Sequence, residues 1–374
     1  MNAVASTPAA TPLGSAYLAG RERELASLAD AMREGELTII SAADPALAAA
    51  LADGCAEDLL RRGWSVARTD ARLADDITDL ARGLARAAAE MLTAGPLVTD
   101  EAAFETAAEG RARLAARRVL GESAYALATG AGKAPSGVSA ITTAAEAVVA
   151  AREESGDALL VLHGVDELTR EGLSRFKQGP EALWALRGVW QRSHGAALLT
   201  GGPAAAAMST DEEHGFYGYG HLHEASDLPT DQLLSVYRDF LGPRADEAAV
   251  TEARELLGHG VWMAADLSRL LRTRGTINAH DVRAAWQTLV RSREPELHGL
   301  LRAAERVHRF AVPVLKAVAR AERPYTRLRQ QGLRSSDVAR ALVALETHSL
   351  THRLGDAQWR VADPAVAELL RTAR

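Results

Sequence analysis

Three short apolar runs govern what this 374-residue chain can fold into: Leu37-Thr38-Ile39-Ile40-Ser41, Ala158-Leu159-Leu160-Val161-Leu162 and Ala196-Ala197-Leu198-Leu199-Thr200. Runs of this length without polar alternation suit strands covered on both faces, the condition of a parallel sheet sandwiched by helices. Trp64-Ser65-Val66-Ala67-Arg68-Thr69 reads as a further strand and His221-Leu222-His223-Glu224-Ala225 as a fifth. The intervening stretches carry helical signals. Residues 45–62 are Ala-rich and begin at Pro45, which suits a first helical turn. Residues 75–154 are helical in pattern, with breaks at Gly95-Pro96 and in the Gly130 to Gly137 loop. Strand, helix and strand in this order predict an α/β fold.

The chain is long enough for more than one core, since single cores stop growing at about 250–300 residues. Four regions are expected: a low-complexity leader at 1–16, an α/β domain at 17–228, a lid of three or four helices at 229–296, and a C-terminal module at 297–374. Charge separates them. Residues 300–374 hold 14 Arg and Lys against 7 Asp and Glu, about +7, while the rest of the chain is about −13 and the whole is −6. An acidic body with a basic end points to a local anionic partner. Cys55 is the only cysteine, so an internal disulfide and a multi-Cys zinc site are excluded. No apolar run reaches the roughly 18 residues of a membrane span, and the start lacks the pattern of a secretory signal. A cytoplasmic location with no membrane partner is the expectation.

The order of motifs is informative. Gly20-Arg21-Glu22-Arg23-Glu24-Leu25 opens a helix ahead of the first strand; Leu159-Leu160-Val161-Leu162-His163-Gly164-Val165-Asp166-Glu167 is an apolar strand with an acidic pair; Ala197-Leu198-Leu199-Thr200-Gly201-Gly202 follows, then the helical lid and the basic module. In this order and spacing, residues 18–374 resemble the STAND and archaeal-type AAA+ ATPases, with Asp166 and Glu167 as the Walker B pair. The resemblance implies a parallel-sheet P-loop NTPase-like domain, a helical lid and a winged helix-turn-helix domain. It also implies that Asp166 would hold magnesium through water, Glu167 would polarise the attacking water and Thr200 would serve as the polar sensor. Gly20, Arg21 and Asp166 are the residues it leaves for nucleotide contact.

The phosphate end departs from that family. Its GxxxxGK[ST] loop falls over residues 42–49, where Leu47, Ala48 and Ala49 stand in place of Gly, Lys and Thr. Pro45 removes one N–H from the loop and Asp44 adds a negative charge. A carboxylate about 5 Å from a phosphate costs about 3 kcal/mol at an effective dielectric near 20, enough with the lost lysine to move a micromolar ATP site to millimolar or beyond. Tyr219 occupies the position of the family's finger arginine, and Gly258-His259-Gly260-Val261-Trp262 keeps only part of the lid's Gly-Gly-x-Pro. Gly130-Ala131-Gly132-Lys133 does not substitute, because no strand precedes it and Ala134 stands where Ser or Thr is needed. Neither do other clusters suggest chemistry. His214, His221 and His223 lack a third ligand at defined spacing and read as surface histidines, and Arg111, Arg113, Arg117 and Arg118 read as a salt-bridged helix face. No metal site is expected, and ATP with magnesium is at most a weakly held cofactor.

The C-terminal module reads as helix 307–319, a short helix 325–331, a third helix from Ser335 or Ser336 to Leu345, and a hairpin around Gly355-Asp356. This resembles a winged helix. DNA would meet Arg327, Arg329, Arg334, Arg340, Arg353 and Arg360, with His352 beside them. The third helix is poor in base-reading side chains, with Val338, Ala339, Ala341, Val343 and Ala344, so contact to phosphate rather than to bases is expected. Together these readings predict a pseudo-ATPase, not an enzyme: a DNA-associated regulator or assembly scaffold with protein partners. Two alternatives stay open, a divergent ATPase completed by a partner and a protein-interaction module whose winged helix meets no DNA.

Overall fold

A computed structural model of the chain describes residues 17–93, 107–130, 133–169, 176–193, 195–348, 350–355 and 358–372. The expected leader at 1–16, the Gly95-Pro96 break and Asp356 of the expected hairpin turn lie outside them. The chain divides into two compact units, one spanning Arg23–Ala225 and the other formed by the segment before it and by Ser226–Arg374.

In the first unit the apolar runs form the sheet that their pattern predicts. Helix α1 (Glu22–Arg33) precedes β1 (Leu37–Ala42), α2 (Pro45–Arg61) and β2 (Ser65–Asp70). Then come α3 (Ile77–Thr93), α4 (Ala107–Thr129), α5 (Gly137–Ser155), β3 (Ala158–His163), α6 (Gly179–Trp190), β4 (Ala197–Gly201), α7 (Pro203–Thr210) and β5 (His221–Ala225). The five strands are all parallel in the order β2-β3-β4-β1-β5, with Ile39 opposite Leu199 on one side and Leu222 on the other. Each central strand is buried along its whole length, which is why apolar residues dominate it and its polar residues Thr38, Ser41, His163 and Thr200 are buried too. Ile39, Leu160, Leu162 and Leu199 enter one core with α3, α5 and α6, while Ile40, Leu159, Val161 and Leu198 are buried on the opposite face. Small residues such as Ala81, Ala85, Ala144 and Val148 let α3 and α5 pack closely in that core.

The second unit is helical. Helices α8 (Thr230–Leu241), α9 (Glu247–Leu257), α10 (Ala264–Leu271) and α11 (Ala279–Ser292) occupy the stretch where three or four helices were expected. Helices α12 (Glu294–Val307), α13 (Ala311–Ala319), α14 (Pro324–Gln330) and α15 (Ser335–Thr347) follow, then the antiparallel hairpin β6 (Thr351–Gly355) and β7 (Gln358–Val361) and helix α16 (Pro364–Thr372). Two details differ from the sequence reading. The helix expected from 307 starts at Ala311, because the chain leaves α12 at His308 in an extended conformation. The third helix is flanked by Arg334 with no side-chain cap, so neither Ser335 nor Ser336 caps it. The expected border at 296/297 falls inside α12, and one continuous core runs from Leu233 and Trp286 to Val314, Leu342 and Val366.

Candidate functional site

In a parallel α/β sheet, ligand sites form where the loops leave the carboxyl ends of the strands. Four strand ends of the first unit define this edge.

At the end of β1, Asp44 is the N-cap of α2 and its Oδ1 accepts the Ala46 N–H at 2.9 Å. Pro45 stands at the first turn, so one further N–H is missing there. The helix terminus is therefore satisfied by the chain's own carboxylate, the role a bound anion has at other helix N-termini. Ala48 is fully buried and Leu47 nearly so. Ser41, the last polar group before the loop, donates its hydroxyl to the Gly202 carbonyl at 3.0 Å and is itself buried.

At the end of β3 the structure corrects the sequence reading. The strand stops at His163, Gly164 turns through φ +69°, and Asp166 and Glu167 lie on a single 3-10 turn at Val165–Leu168. The acidic pair thus follows the strand end instead of forming it. Val165 and Leu168 point into the core, which made the apolar pattern continue past the true end of the strand. Asp166 is buried, with its Oδ1 2.8 Å from where a Cβ on Gly201 would lie.

The strand-end residue His163, itself buried, is the centre of a polar chain that the sequence did not announce. Its Nδ1 is 3.0 Å from Thr200 Oγ1 and its Nε2 is 3.4 Å from Asp53 Oδ1 on α2. Thr200 and Asp53 thereby occupy both ring nitrogens. Asp53 also accepts from Arg68 Nε at 3.1 Å. Burial opposes the charge on Asp53, but the hydrogen bond and charge of His163, with Arg68, outweigh it and hold the carboxyl below its ordinary range. Thr200, expected as a polar sensor, is buried and turned towards His163.

At the end of β2, Arg72 forks onto Asp70, with Nη2 to Oδ2 at 2.7 Å and Nε to Oδ1 at 2.9 Å, while the Arg72 N–H closes an Asx turn on Oδ1. Its stem crosses Gly164, where a Cβ would meet Arg72 Cγ at 2.6 Å. The hydrogen bond to Asp70 raises the guanidinium's pKa despite its partial burial, and the charges of Asp70, Asp166 and Glu167 add to that rise. Asp70 responds in kind: burial works against its ionisation, and the Arg72 bonds overcome it and lower the carboxyl. One arginine therefore balances three carboxylates at this edge.

The other candidates lie apart from this edge. Tyr219 precedes β5 at the opposite, amino-terminal end of the strands, beside Gly220 and Leu37, and packs on Phe216 at 5.9 Å. His223 pairs with Glu24 at 2.7 Å and His221 with Glu36 at 3.5 Å. Among the described residues, no three metal-ligating side chains gather. Gly20 and Arg21 belong to the second unit, where Arg21 is buried and donates to the Ser226 carbonyl at 2.8 Å.

The C-terminal arginines divide into two sets. Arg360 on β7 binds Asp227 at 3.0 Å, Arg340 binds Asp337 at 2.7 Å and Arg327 lies 3.2 Å from Glu322. His352 is buried. Arg329, Arg334 and Arg353 are exposed. The outer side of α15 presents Val343, 60 % exposed, close to Arg340. No helix among the described residues is long and apolar enough to cross a membrane.

No protein-family model matches the chain, and no curated protein matches it in sequence. Its structure is similar to the Walker-type ATPase PABY2304 of Pyrococcus abyssi, with a TM-score of 0.63 and 16 % identity over 94 % of this chain and 95 % of that one. This shows the P-loop NTPase fold. Looser likenesses, on which nothing here is built, are to the Aeropyrum pernix ORC1 protein in complex with DNA (TM-score 0.46, 12 % identity, 94 % and 91 % covered) and to the ADP form of the Aeropyrum pernix ORC2 protein (TM-score 0.46, 13 % identity, 99 % and 95 % covered).

Proposed function

We propose that this chain is a pseudo-ATPase: a P-loop fold of the AAA+ or STAND type that has given up nucleotide hydrolysis and works as a regulator or assembly scaffold. The observation that carries the reading is the self-capped helix α2, in which Asp44 takes an N–H of the terminus that a phosphate would need. The residues present do not fit a nucleotide triphosphate with magnesium. Ala48 is sealed where a lysine would have to reach out, His163 and Gly164 stand at the end of β3 in place of an acidic pair, and Arg72 already supplies the positive charge among Asp70, Asp166 and Glu167.

The test is a calorimetric titration with Mg-ATP beside a steady-state turnover assay. Affinity weaker than about millimolar and no turnover are expected. Micromolar binding, or hydrolysis that disappears in Glu167→Gln, would sink the proposal and favour the divergent ATPase.

A role on DNA is the second part of the reading and rests on the basic C-terminal region, whose helix, short helix, helix and hairpin fit a winged helix. Phosphate contact would fall to Arg327, Arg329, Arg334, Arg340, Arg353 and Arg360, of which Arg327, Arg340 and Arg360 also hold carboxylates. The same region would dock proteins through the apolar outer side of α15 if it meets no DNA.

A further inference from the structure

Helix α6 buries Leu183 and Leu186 in the core of the first unit and turns its other face to solvent. Two residues on that outer face have no explanation inside the chain. Trp184 is 48 % exposed. Gly188, one turn further along, is exposed too, and a Cβ built on it would meet nothing within 4 Å. Its φ is not positive, so neither backbone conformation nor internal packing calls for glycine, which weakens a helix interior relative to alanine. What glycine does supply at this position is a hollow in the helix surface through which another backbone or a large side chain can approach closely.

The aromatic side chain beside the hollow is held in place. Arg187 lies over the Trp184 ring at 5.4 Å and donates from Nη1 to the Gly215 carbonyl at 3.1 Å. Gly215 itself is pressed on the helix, since a Cβ there would lie 3.0 Å from the Leu183 carbonyl carbon and the Trp184 nitrogen. An ordered tryptophan with an arginine on it is the composition of an interface anchor, and ordering it in advance lowers the cost of association. Tyr217, 41 % exposed, stands two residues along the same loop.

A large side chain and a hollow one turn apart on one helix face are complementary to themselves. With a two-fold axis at the level of Leu186, an antiparallel second copy of α6 sets Trp184 over Gly188 of the second copy and receives that copy's tryptophan in return. The same operation brings Arg187 opposite Ala185, which is small enough to leave room for the guanidinium. It also brings Glu181, in the first turn, opposite the Gln191-Arg192 turn that ends the helix. Glu181 and Arg192 are exposed, and among the described residues neither forms an ion pair. Their match occurs twice across the axis and places opposite ends of the two helix dipoles side by side. Shape and charge together select a second copy of this chain as the occupant.

We propose that the outer face of α6 is a two-fold interface through which two copies of this chain pair, each Trp184 seated over the other copy's Gly188 and each Glu181 facing the other copy's Arg192. No residue of the β1 loop or of the Asp166-Glu167 turn takes part, so the pairing stands or falls apart from the nucleotide reading.

Sedimentation velocity of the full chain from about 1 to 500 μM tests it, at about 150 mM salt, where the self-repulsion of the acidic first unit is screened beyond about 8 Å. A concentration-dependent dimer is expected, because one helix face with one tryptophan anchor per copy makes a small interface. Trp184→Ala and Gly188→Leu should each weaken it about tenfold or more; the open space before Gly188 accommodates the leucine within one copy, and cooperative melting curves show that the fold is kept. Glu181→Arg or Arg192→Glu alone should weaken the dimer, and the two together should restore it to within about threefold of wild type. A monomer at every concentration, a dimer unmoved by Trp184→Ala and Gly188→Leu, or a double charge reversal no tighter than the single ones overturns the proposal.

Discussion

Arg72→Met isolates the charge that holds the carboxyl edge of the sheet together, because the methionine keeps an apolar stem over Gly164 and removes only the guanidinium. Breaking a fully buried ion pair costs about 3–5 kcal/mol and an exposed one at most about 1. Here Asp70 is 19 % exposed and Arg72 42 %, so solvent screens the pair partly, and the loss should be about 1.5–2 kcal/mol. In a unit of about 200 residues this lowers the melting temperature by about 3–8 °C. The pH dependence identifies the cause. Asp70 is lowered in the fold below the ordinary carboxylate range, so its contribution is complete above that range and is lost as the pH falls through the folded value. Arg72 is raised and stays charged throughout the acid range, so it adds no slope there. The difference between wild type and variant should be constant from pH 7 to about 5 and should shrink below about 4. Thermal unfolding followed by circular dichroism across that range is the assay. A melting temperature within about 1 °C of wild type at pH 7, or a difference that persists undiminished to pH 3, refutes the account.

Three further outcomes are expected. Ala48→Lys should not revive nucleotide binding and should destabilise by about 3–5 kcal/mol, because the site is fully buried and lies at a helix N-terminus that repels a cation; a stable variant that binds ATP in a calorimetric titration would contradict this. Arg152→Met should be neutral or stabilising by up to about 2 kcal/mol, since burial drives this arginine down to about 10 with no carboxylate beside it, and the Ala196 carbonyl it holds also accepts the Leu160 N–H. A base lowered in the fold subtracts stability at every pH below about 10 and returns it as the pH climbs above that towards the ordinary arginine range, so the variant's advantage in chemical denaturation should shrink in that alkaline window. If the second unit binds duplex DNA through all six candidate arginines, the logarithm of its affinity should fall with the logarithm of salt at a slope of about −5; a slope near −3 would mean that Arg327, Arg340 and Arg360 keep their carboxylates on binding.

The sheet was legible because a strand covered on both faces has little freedom to carry polar residues, and Ile39, Leu160 and Leu199 sit in runs without apolar-polar alternation. That Ala48 is not a lysine is likewise a matter of residue type. What misled was the end of β3. Val165 and Leu168 are as buried as the strand itself, so apolar pattern alone carries the eye past Gly164 to Asp166, whereas the left-handed turn at Gly164 ends the strand two residues earlier. Composition was silent on the contacts that assemble the edge. His163 meets Thr200 across 37 residues and Arg360 meets Asp227 across 133, and no local pattern marks pairs joined only by topology. Arg72 left a trace that went unused, the Asp-x-Arg spacing of an Asx turn.

The basic count of the C-terminal region is a poor measure of the charge it can offer a polyanion. Arg293, at the end of α11, reaches Asp363 at 3.2 Å and lies over Trp262 at 5.0 Å, while Asp363 in turn takes the Ala365 N–H at 2.7 Å at the start of α16. Arg371 on α16 donates to the Ala319 carbonyl at 2.7 Å, closing α13, and Arg360 ties β7 to Asp227 at the entry to the lid. Each of these arginines joins segments far apart in sequence, which explains why lid and C-terminal helices share one core instead of forming two. A planar fork with several donors can hold a carbonyl or carboxylate and also stack on an aromatic ring, which lysine cannot do, and the chain has only three lysines, Lys133, Lys177 and Lys316. The arginine excess is then first a structural device. A partner that competes for Arg360 must displace Asp227 to win it, so binding there and the seating of the hairpin on the lid are coupled within this unit, and a ligand that prefers the released arginine shifts the hairpin by as much as that preference and no more.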